Sequence, residues 1–553
     1  FRKDGKPKSR TIKSFGYLDE LEGQYDNPIA HFTKVCEQMT EEYKSKTAPI
    51  TITIHPAQKV DIRTSSRKNV GCAVLMALYH ALGIETVLNN KQATTSIRCD
   101  LNAIMRLLVN ERLLHPGSKK SAYENKEGYF YKSDFSDDDV YRSLDTFASL
   151  KDCLVSGINK GIARLFPRDT TNVFYDVTNY YFECEEDGFR NKGVSKEHRP
   201  NPIVQMGLLQ DADAIPMTYK LFSGNTQDSQ TMLDVLCDMK HDFNVERVVC
   251  VADKGLNCSA NIAATVGRKD GFVYSQSIRG TKSSDALRTW VIDKSGYAVQ
   301  EDGTFKVKSK QGYKMIEVED GEGKKKKVRI EVKYVAFWSR KYEKRARCDR
   351  EKTLEKARQL IASPGKYTRA THWGAAKYVQ GVAFDKKTGE CLESGTAPVF
   401  DEEALARDEA CDGYYLIVTS ETAWSEGKII DTYRGLWQIE ESFKITKSDL
   451  ASRPVYVRKP QHIEAHFLTC YIALVILRLM QKATGHKYSA AAMIDDLRQV
   501  SCSLLEDNWW HFDYRSDLTD ELFELIGCPA PTRYMRTGDI KALLAKKPLQ
   551  SIK

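Results

Sequence analysis

The sequence predicts an α/β protein: a mixed sheet with helical cover, interrupted by a β-rich basic segment and flanked by helical regions at both ends. Three observations predict it. Residues 68–165 carry apolar side chains at helical spacing, as in Val74, Leu75, Leu78 and Leu82, and again in Ile104, Leu107 and Leu108. At Thr171 that period gives way to β-branched and aromatic runs. A last strand and a long helix, Tyr414–Val418 and Asp431–Asp449, follow only after a hairpin-like stretch from about 280 to 395.

The elements then fall in order. Asn172–Val177, Ile203–Leu209 and Met217–Phe222 read as three strands, the third closed by Ser223-Gly224-Asn225. A helix from about Ser229 to His241 precedes the buried strand Arg247–Ala252, which stops at Asp253-Lys254-Gly255. Strands before and after a covering helix describe a mixed sheet. The division that follows is 1–165 helical, 166–280 the first part of the sheet domain, 281–400 the β-rich basic insertion, 401–460 its second part, and 461–553 a helical end whose last twenty or so residues look loosely ordered.

At 553 residues the chain is long enough for three or four units at about 150 residues each. Apolar content of 41% beside 29% charge excludes an intrinsically disordered chain. The longest apolar run, Phe467–Met480, holds Thr469 and Arg478 and reads as a buried helix rather than a bilayer span. No CxxC pair occurs among the fourteen cysteines, which favours reduced thiols and a cytoplasmic setting over a zinc ribbon. His462 and His466 flank Glu464 in the wrong order for HExxH, with no third ligand nearby.

Charge is concentrated. Residues 279–358 hold 23 Lys and Arg against 13 Asp and Glu, an excess larger than the +8 of the whole chain. Lys324–Lys327 reads as a hairpin tip marked by Gly321 and Gly323 just before it. Arg340, Lys341, Lys344, Arg345 and Arg347 follow the strand pattern Ile330–Phe337 and enter a helix, so they sit on fixed elements. Such a patch suits a phosphate backbone, because each neutralised phosphate releases a counterion.

Three acids stand out. Asp176 lies mid-strand among apolar neighbours, where a carboxylate costs free energy unless something compensates it. Asp253 ends a buried strand; alone it reads as a cap or turn residue. On the helix 431–449, about 100° per residue brings Tyr433, Trp437, Glu440 and Lys447 to one face and turns Glu441 about 80° aside, toward solvent. An ordinary amphipathic helix with a Glu440–Lys444 ion pair explains that pattern as well. Three carboxylates can hold two Mg²⁺ ions for an in-line phosphoryl displacement, with a Tyr and a Lys gripping the phosphate.

Tyr433-Arg434-Gly435-Leu436-Trp437-Gln438-Ile439-Glu440, continuing to Lys447, resembles the Y-x2-R-x3-E-x6-K signature of bacterial insertion-sequence transposases of the family-four superfamily of DDE enzymes. Tyr433, Glu440 and Lys447 fall in register. The family's Arg falls on Leu436, with Arg434 the nearest substitute. Phe174–Thr178 and Val251–Gly255 resemble the two catalytic Asp strands, and Asp412-Gly413 and Arg453–Tyr456 resemble their surroundings in the long members.

The resemblance implies an RNase H-like core interrupted by a β-rich insertion, a helical N-terminal region that binds terminal inverted repeats, and a homodimer on DNA. It implies catalytic, metal-holding Asp176, Asp253 and Glu440 with two Mg²⁺, for which Mn²⁺ is the expected substitute. DNA contacts would come from Tyr433, Arg434, Lys447, Lys254, Arg340, Lys341, Lys344 and Arg345. Trp290 and Trp338 are candidates to stack on a flipped base. Double-stranded DNA, as element ends and target, is the expected partner, and the bacterial cytoplasm and nucleoid the expected location. A structure-selective nuclease on the same fold, or a repurposed DNA-binding protein without catalysis, would share these features.

Overall fold

The computed structural model describes residues 2–3, 6–7, 11, 13–47, 51, 59, 66–183, 187, 189–191, 201–227, 230–236, 247–279, 284–319, 325–363, 374–381, 383–384, 391–392, 398–505 and 508–545. Two compact units form. Residues 1–64 with 505–508 make the smaller, built around a helix at Pro28–Thr47; residues 65–504 with 509–553 make the larger.

The larger unit is organised by one nine-stranded mixed sheet. Its strands are β1 (Asn172–Tyr181), β2 (Ile203–Gln210), β3 (Pro216–Ser223), β4 (Val249–Ala252), β5 (Gly271–Ser275), β6 (Ala298–Val299), β7 (Phe305–Glu319), β8 (Lys325–Ser339) and β9 (Tyr414–Thr419). Their order is β3-β2-β1-β4-β5-β9-β8-β7-β6. β1 pairs antiparallel with β2, and β2 with β3; β4 is parallel to β1, and β5 to β4. Three antiparallel strands followed by two parallel ones fit the RNase H-like core that the resemblance implies.

Side-chain alternation sends the strands into two cores. Tyr175, Val177, Cys250, Ala252, Phe272 and Tyr274 face one side, covered by residues 230–236 and by α3 (Ser259–Gly267). The rest of the expected helix 229–241 lies outside the described residues. Phe174, Tyr180, Val251 and Val273 face the other side. There they meet α1 (Leu101–Leu114), α2 (Asp137–Ser149) and the later helices.

Three features differ from the sequence reading. First, the β-rich segment interrupts the chain but not the sheet. β7 and β8 form a hairpin paired from Phe305↔Ser339 to Glu319↔Lys325, and Lys333–Trp338 of β8 join β9. The insertion therefore widens the sheet, and it continues into a 23-residue helix, α4 (Arg340–Ala362). Gly321, Gly323 and Lys324 lie outside the described residues. Second, β5 was not legible as a strand. Third, the C-terminal region is not all helical. Ser501–Leu504, Trp509–Phe512 and Tyr534–Arg536 join Arg67–Asn69 in a four-stranded antiparallel sheet. Cys502, Trp510 and Phe512 are its buried apolar members, the last two at a spacing of two that helical reading overlooks. The supposedly loose end instead carries a helix at Thr537–Leu544; residues 546–553 are not among those described.

The helical pair of the second half-domain is α5 (Glu426–Arg434) and α6 (Trp437–Lys447), followed by α7 (Pro460–Ala483). By length and composition α7 could cross a membrane, with mean hydropathy 1.7, but 94% of that stretch is buried inside the unit. It is the core helix expected at Phe467–Met480, and it packs against α1 and α2.

Candidate active site

β1 and β4 set the first two acids. They run parallel with Phe174 opposite Val251, so two residues further on Asp176 comes level with Asp253. Period two puts both on the face of Phe174 and Val251, on neighbouring strands about 4.8 Å apart. Asp176 is half-buried within β1, and Asp253 is exposed where β4 ends and a 3₁₀ turn begins. Two hydroxyls orient Asp253. Ser275 Oγ donates to Oδ1 at 2.7 Å, and the Tyr433 hydroxyl donates to the same oxygen at 3.3 Å. Burial and the neighbouring Asp253 charge push the Tyr433 phenol upward, so it stays a donor at neutral pH.

The single helix expected over 431–449 is two helices, broken at Gly435-Leu436. The break is where the chain comes closest to β1. A Cβ on Gly435 would stand 2.6 Å from Phe174 Cζ, so no larger residue fits without moving the helices off the strand. Leu436, at the position of the family's Arg, is buried in the same core. At its far end α6 is tied down by Thr446 Oγ1, 2.7 Å from the Tyr180 hydroxyl. α6 thus runs along β1 from Phe174 to Tyr180. Asp176 lies about 6.6 Å beyond Phe174, and a helix rises about 1.5 Å per residue. The level of Asp176 therefore falls at Ile439–Glu440.

The two glutamates separate clearly. Ser442, about 160° around the helix from Glu440, donates to Gln210 Oε1 of β2 at 3.0 Å. Glu440 accordingly lies on the side away from β2, the side of β4 and Asp253, and is exposed. Glu441 is not the solvent-facing partner expected: its Oε2 accepts from Arg478 Nη1 at 3.0 Å. The donor set of Asp176, Asp253 and Glu440 is carboxylate only, which suits a hard divalent cation. Among the described residues no three His, Cys, Asp or Glu side chains stand ready-closed around one point. A cation held by all three would need the exposed Glu440 side chain to reach across from helix to strand. His466 is occupied with the Ser452 carbonyl and His462 lies beside Asp145, so the pair forms no zinc site.

Residues 185–476, just over half of the chain, match the family described as the transposase DDE domain. The chain belongs to the DDE transposases. Residues 1–50 of this transposase match the N-terminal domain of the IS1634 family. It is accordingly an insertion-sequence DNA transposase, a metal-dependent enzyme that cuts and joins DNA. The DDE match takes in Asp253 and Glu440 and begins just after Asp176, whose place rests on its register with Asp253. Two solved structures are similar. A piggyBac transposase synaptic complex with hairpin DNA aligns at TM-score 0.36 and 9% identity over 86% of each chain. A Mos1 transposase paired-end complex with the left transposon end aligns at 0.15 and 12%, over 46% of this chain and 70% of the other. At those scores no residue is carried over. No curated protein matches.

The transposase's cations flank the acids. Lys254 is exposed directly after Asp253. Arg340, Lys341, Lys344 and Arg345 are exposed at the start of α4. Burial, and then Tyr342, pushes the Tyr415 phenol up; Arg345 and Arg279 oppose the rise and Asp253 adds to it, so the start of α4 and Asp253 act on one hydroxyl. Arg434 is partly engaged, 3.5 Å from Asp431 and 5.4 Å from the Phe305 ring centre. Lys447 lies over Tyr180, two turns beyond Glu440. The two insertion tryptophans have protein partners. Trp290 is half-buried under Lys308 and Lys310, and Trp338 packs beneath Lys306 and against Gly413. Any side chain on Gly413, which also has φ of +78°, would meet the Trp338 ring. Asp412 is spent on Arg279 and Arg350. The aromatic that stands open beside Glu440 is Trp437, 58% exposed. Sequence reasoning missed Ser275, Tyr415 and Arg478. Only long-range contacts reveal them, and no local motif marks them.

Proposed function

We propose that this transposase binds the terminal inverted repeats of an insertion sequence, hydrolyses the DNA at the element ends, and joins the freed 3′-hydroxyls to target DNA at one acid site. The observation that carries the reading is the register of Asp176 with Asp253 under the helix that bears Glu440. These three carboxylates would hold two Mg²⁺, or Mn²⁺, which when bound supply an activated water or 3′-hydroxyl and stabilise the leaving oxygen. Ser275 and Tyr433 donate to Asp253 Oδ1 and fix the carboxylate that would hold the cation. Lys254, Tyr433, Arg434 and Lys447 would position the phosphates along the strand. Dimeric synapsis of two ends, in the bacterial cytoplasm and on the nucleoid, belongs to the same proposal. A cleavage assay tests it: duplexes carrying element ends are cut with a divalent cation present, and duplexes of generic sequence are not. Equal cutting of both, or of junctions and hybrids instead, overturns it in favour of a structure-selective nuclease.

The start of α4 supports the DNA reading. Its macrodipole already places positive potential there, yet Arg340, Lys341, Lys344 and Arg345 crowd the same turns against one acid, Glu343. Like charges in that place cost stability unless an anion neutralises them, and a phosphate backbone is the fitting anion. Replacing Lys341, Lys344 and Arg345 together by alanine is expected to flatten the slope of log affinity against log salt by about 2–3, close to 0.9 per lost phosphate contact. Mobility-shift titrations over a range of salt read it; an unchanged slope removes this helix from the DNA interface.

A further inference from the structure

A small cleft open to solvent lies between the end of α1, the segment Gly117–Lys119, Tyr141 of α2, His466 of α7, and Pro454–Val457. Its walls bring in Arg112, Lys119 and His466, each only 4% exposed, and no carboxylate. Two of the three bases have fixed tasks. Arg112 Nη1 donates to the Leu450 and Ala451 carbonyls and Nη2 to that of Gly117, while its Nε finds no partner. His466 Nε2 donates to the Ser452 carbonyl, which can only accept. Lys119 has no hydrogen-bond or ion-pair partner among the described residues.

An unpaired ammonium this deep is costly. Burial pushes Lys119 down to about 7, Arg112 adds to the shift, and the Cys470 thiol opposes it weakly. The acids on the surrounding elements do not answer it. Glu111 accepts from Tyr129 at 2.5 Å and Asn125 at 2.9 Å, and Asp137 faces Tyr141. At the lip, Tyr456 is 66% exposed and Arg458 is exposed beside it.

We propose that this cleft is an oxyanion site for one phosphate group, held by the Lys119 ammonium, with Arg112, Ser118 and Tyr141 lining the same cleft. The group could arrive as free phosphate or as a backbone phosphate of DNA lying over Tyr456 and Arg458. The site is separate from the acids of β1, β4 and α6, and only its DNA arm rests on the proposed function.

Sulfate is the probe, because its charge is constant across the relevant pH. Calorimetric titration of the full chain is expected to show sulfate binding that weakens as pH rises through 7, where Lys119 loses its proton. Lys119→Met removes the charge but keeps volume and apolar packing. It is expected to weaken sulfate at least about tenfold, while Lys120→Met, the exposed neighbour, does not. The source is then read from DNA binding. A salt slope for element ends that falls by about one in Lys119→Met identifies a backbone phosphate. An unchanged slope with sulfate binding lost identifies a free anion. If Lys119→Met matches the wild type in both sulfate affinity and salt slope, the site does not exist.

Discussion

Glu440→Gln is expected to lower metal-dependent cleavage of element ends by at least about 10³-fold, while Glu441→Gln stays within about tenfold of wild type. Both changes keep size and remove one charge, and the residues are neighbours, so the contrast isolates position. Glu440 is exposed, level with Asp176, and on the side of α6 away from β2. Glu441 is turned back against Arg478. Asp176→Asn and Asp253→Asn should match the Glu440 variant, since losing any one of three shared carboxylates undoes the same site. Binding of element ends, measured by mobility shift without divalent metal, should survive in all three; removing a carboxylate from a phosphate-facing site can even strengthen it. Retained cleavage in Glu440→Gln would sink the assignment. So would equal loss in a fully folded Glu441→Gln.

Much of this site was legible because its parts are local. Asp176 and Asp253 each lie in or at the end of a run of buried strand residues, and a polar residue there is conspicuous in one dimension. In sequence, the choice of Glu440 over Glu441 rests on the Y-x2-R-x3-E-x6-K signature and on the phase of a continuous helix, and that helix is broken at Gly435. The physical grounds are different: Arg478, 37 residues later on α7, claims Glu441 and leaves Glu440 to the strand side. Gly435 itself reads in sequence as a helix-weakening residue, and nothing local says that Phe174 of β1 lies against it. β5 was missed because five residues after a short helix are too few for periodicity to separate strand from loop. Its last residue, Ser275, is the one that orients Asp253. The C-terminal strands were missed for a related reason. The first of them, Ser501–Leu504, pairs with Arg67–Asn69, more than four hundred residues away, and such pairing leaves no trace in any window of sequence.

The same arginine carries the second large expectation. Arg478 is 2% exposed and is among the largest fully buried side chains in the protein. Its Nε and Nη2 donate to Ser442 Oγ, Nη2 also to the Gln438 carbonyl, and Nη1 to Glu441 Oε2 and Gln481 Oε1. Four of these five contacts land on α6, so one side chain of the core helix holds the Glu440 helix from behind. Arg478→Ala leaves a cavity, a buried serine and carbonyl short of donors, and a half-buried glutamate without its cation. A loss of about 3–5 kcal/mol is expected, the range for breaking a buried pair by removing one partner. Urea unfolding of the larger unit measures it. Glu441→Gln should cost about 1 kcal/mol, because that carboxylate is one-third exposed and water replaces part of what it loses. The double variant Arg478→Ala/Glu441→Gln should then fall short of the sum of the two by about 0.5–3 kcal/mol, as contacting residues do. Where Arg478→Ala remains folded, at low temperature, it should bind element ends normally and cut them slowly, since α6 would hold Glu440 less firmly against β1. An Arg478→Ala variant within about 1 kcal/mol of wild type and equally fast would show that α6 is held without Arg478, by its apolar face, Gly435 and its contacts to Tyr180 and Gln210.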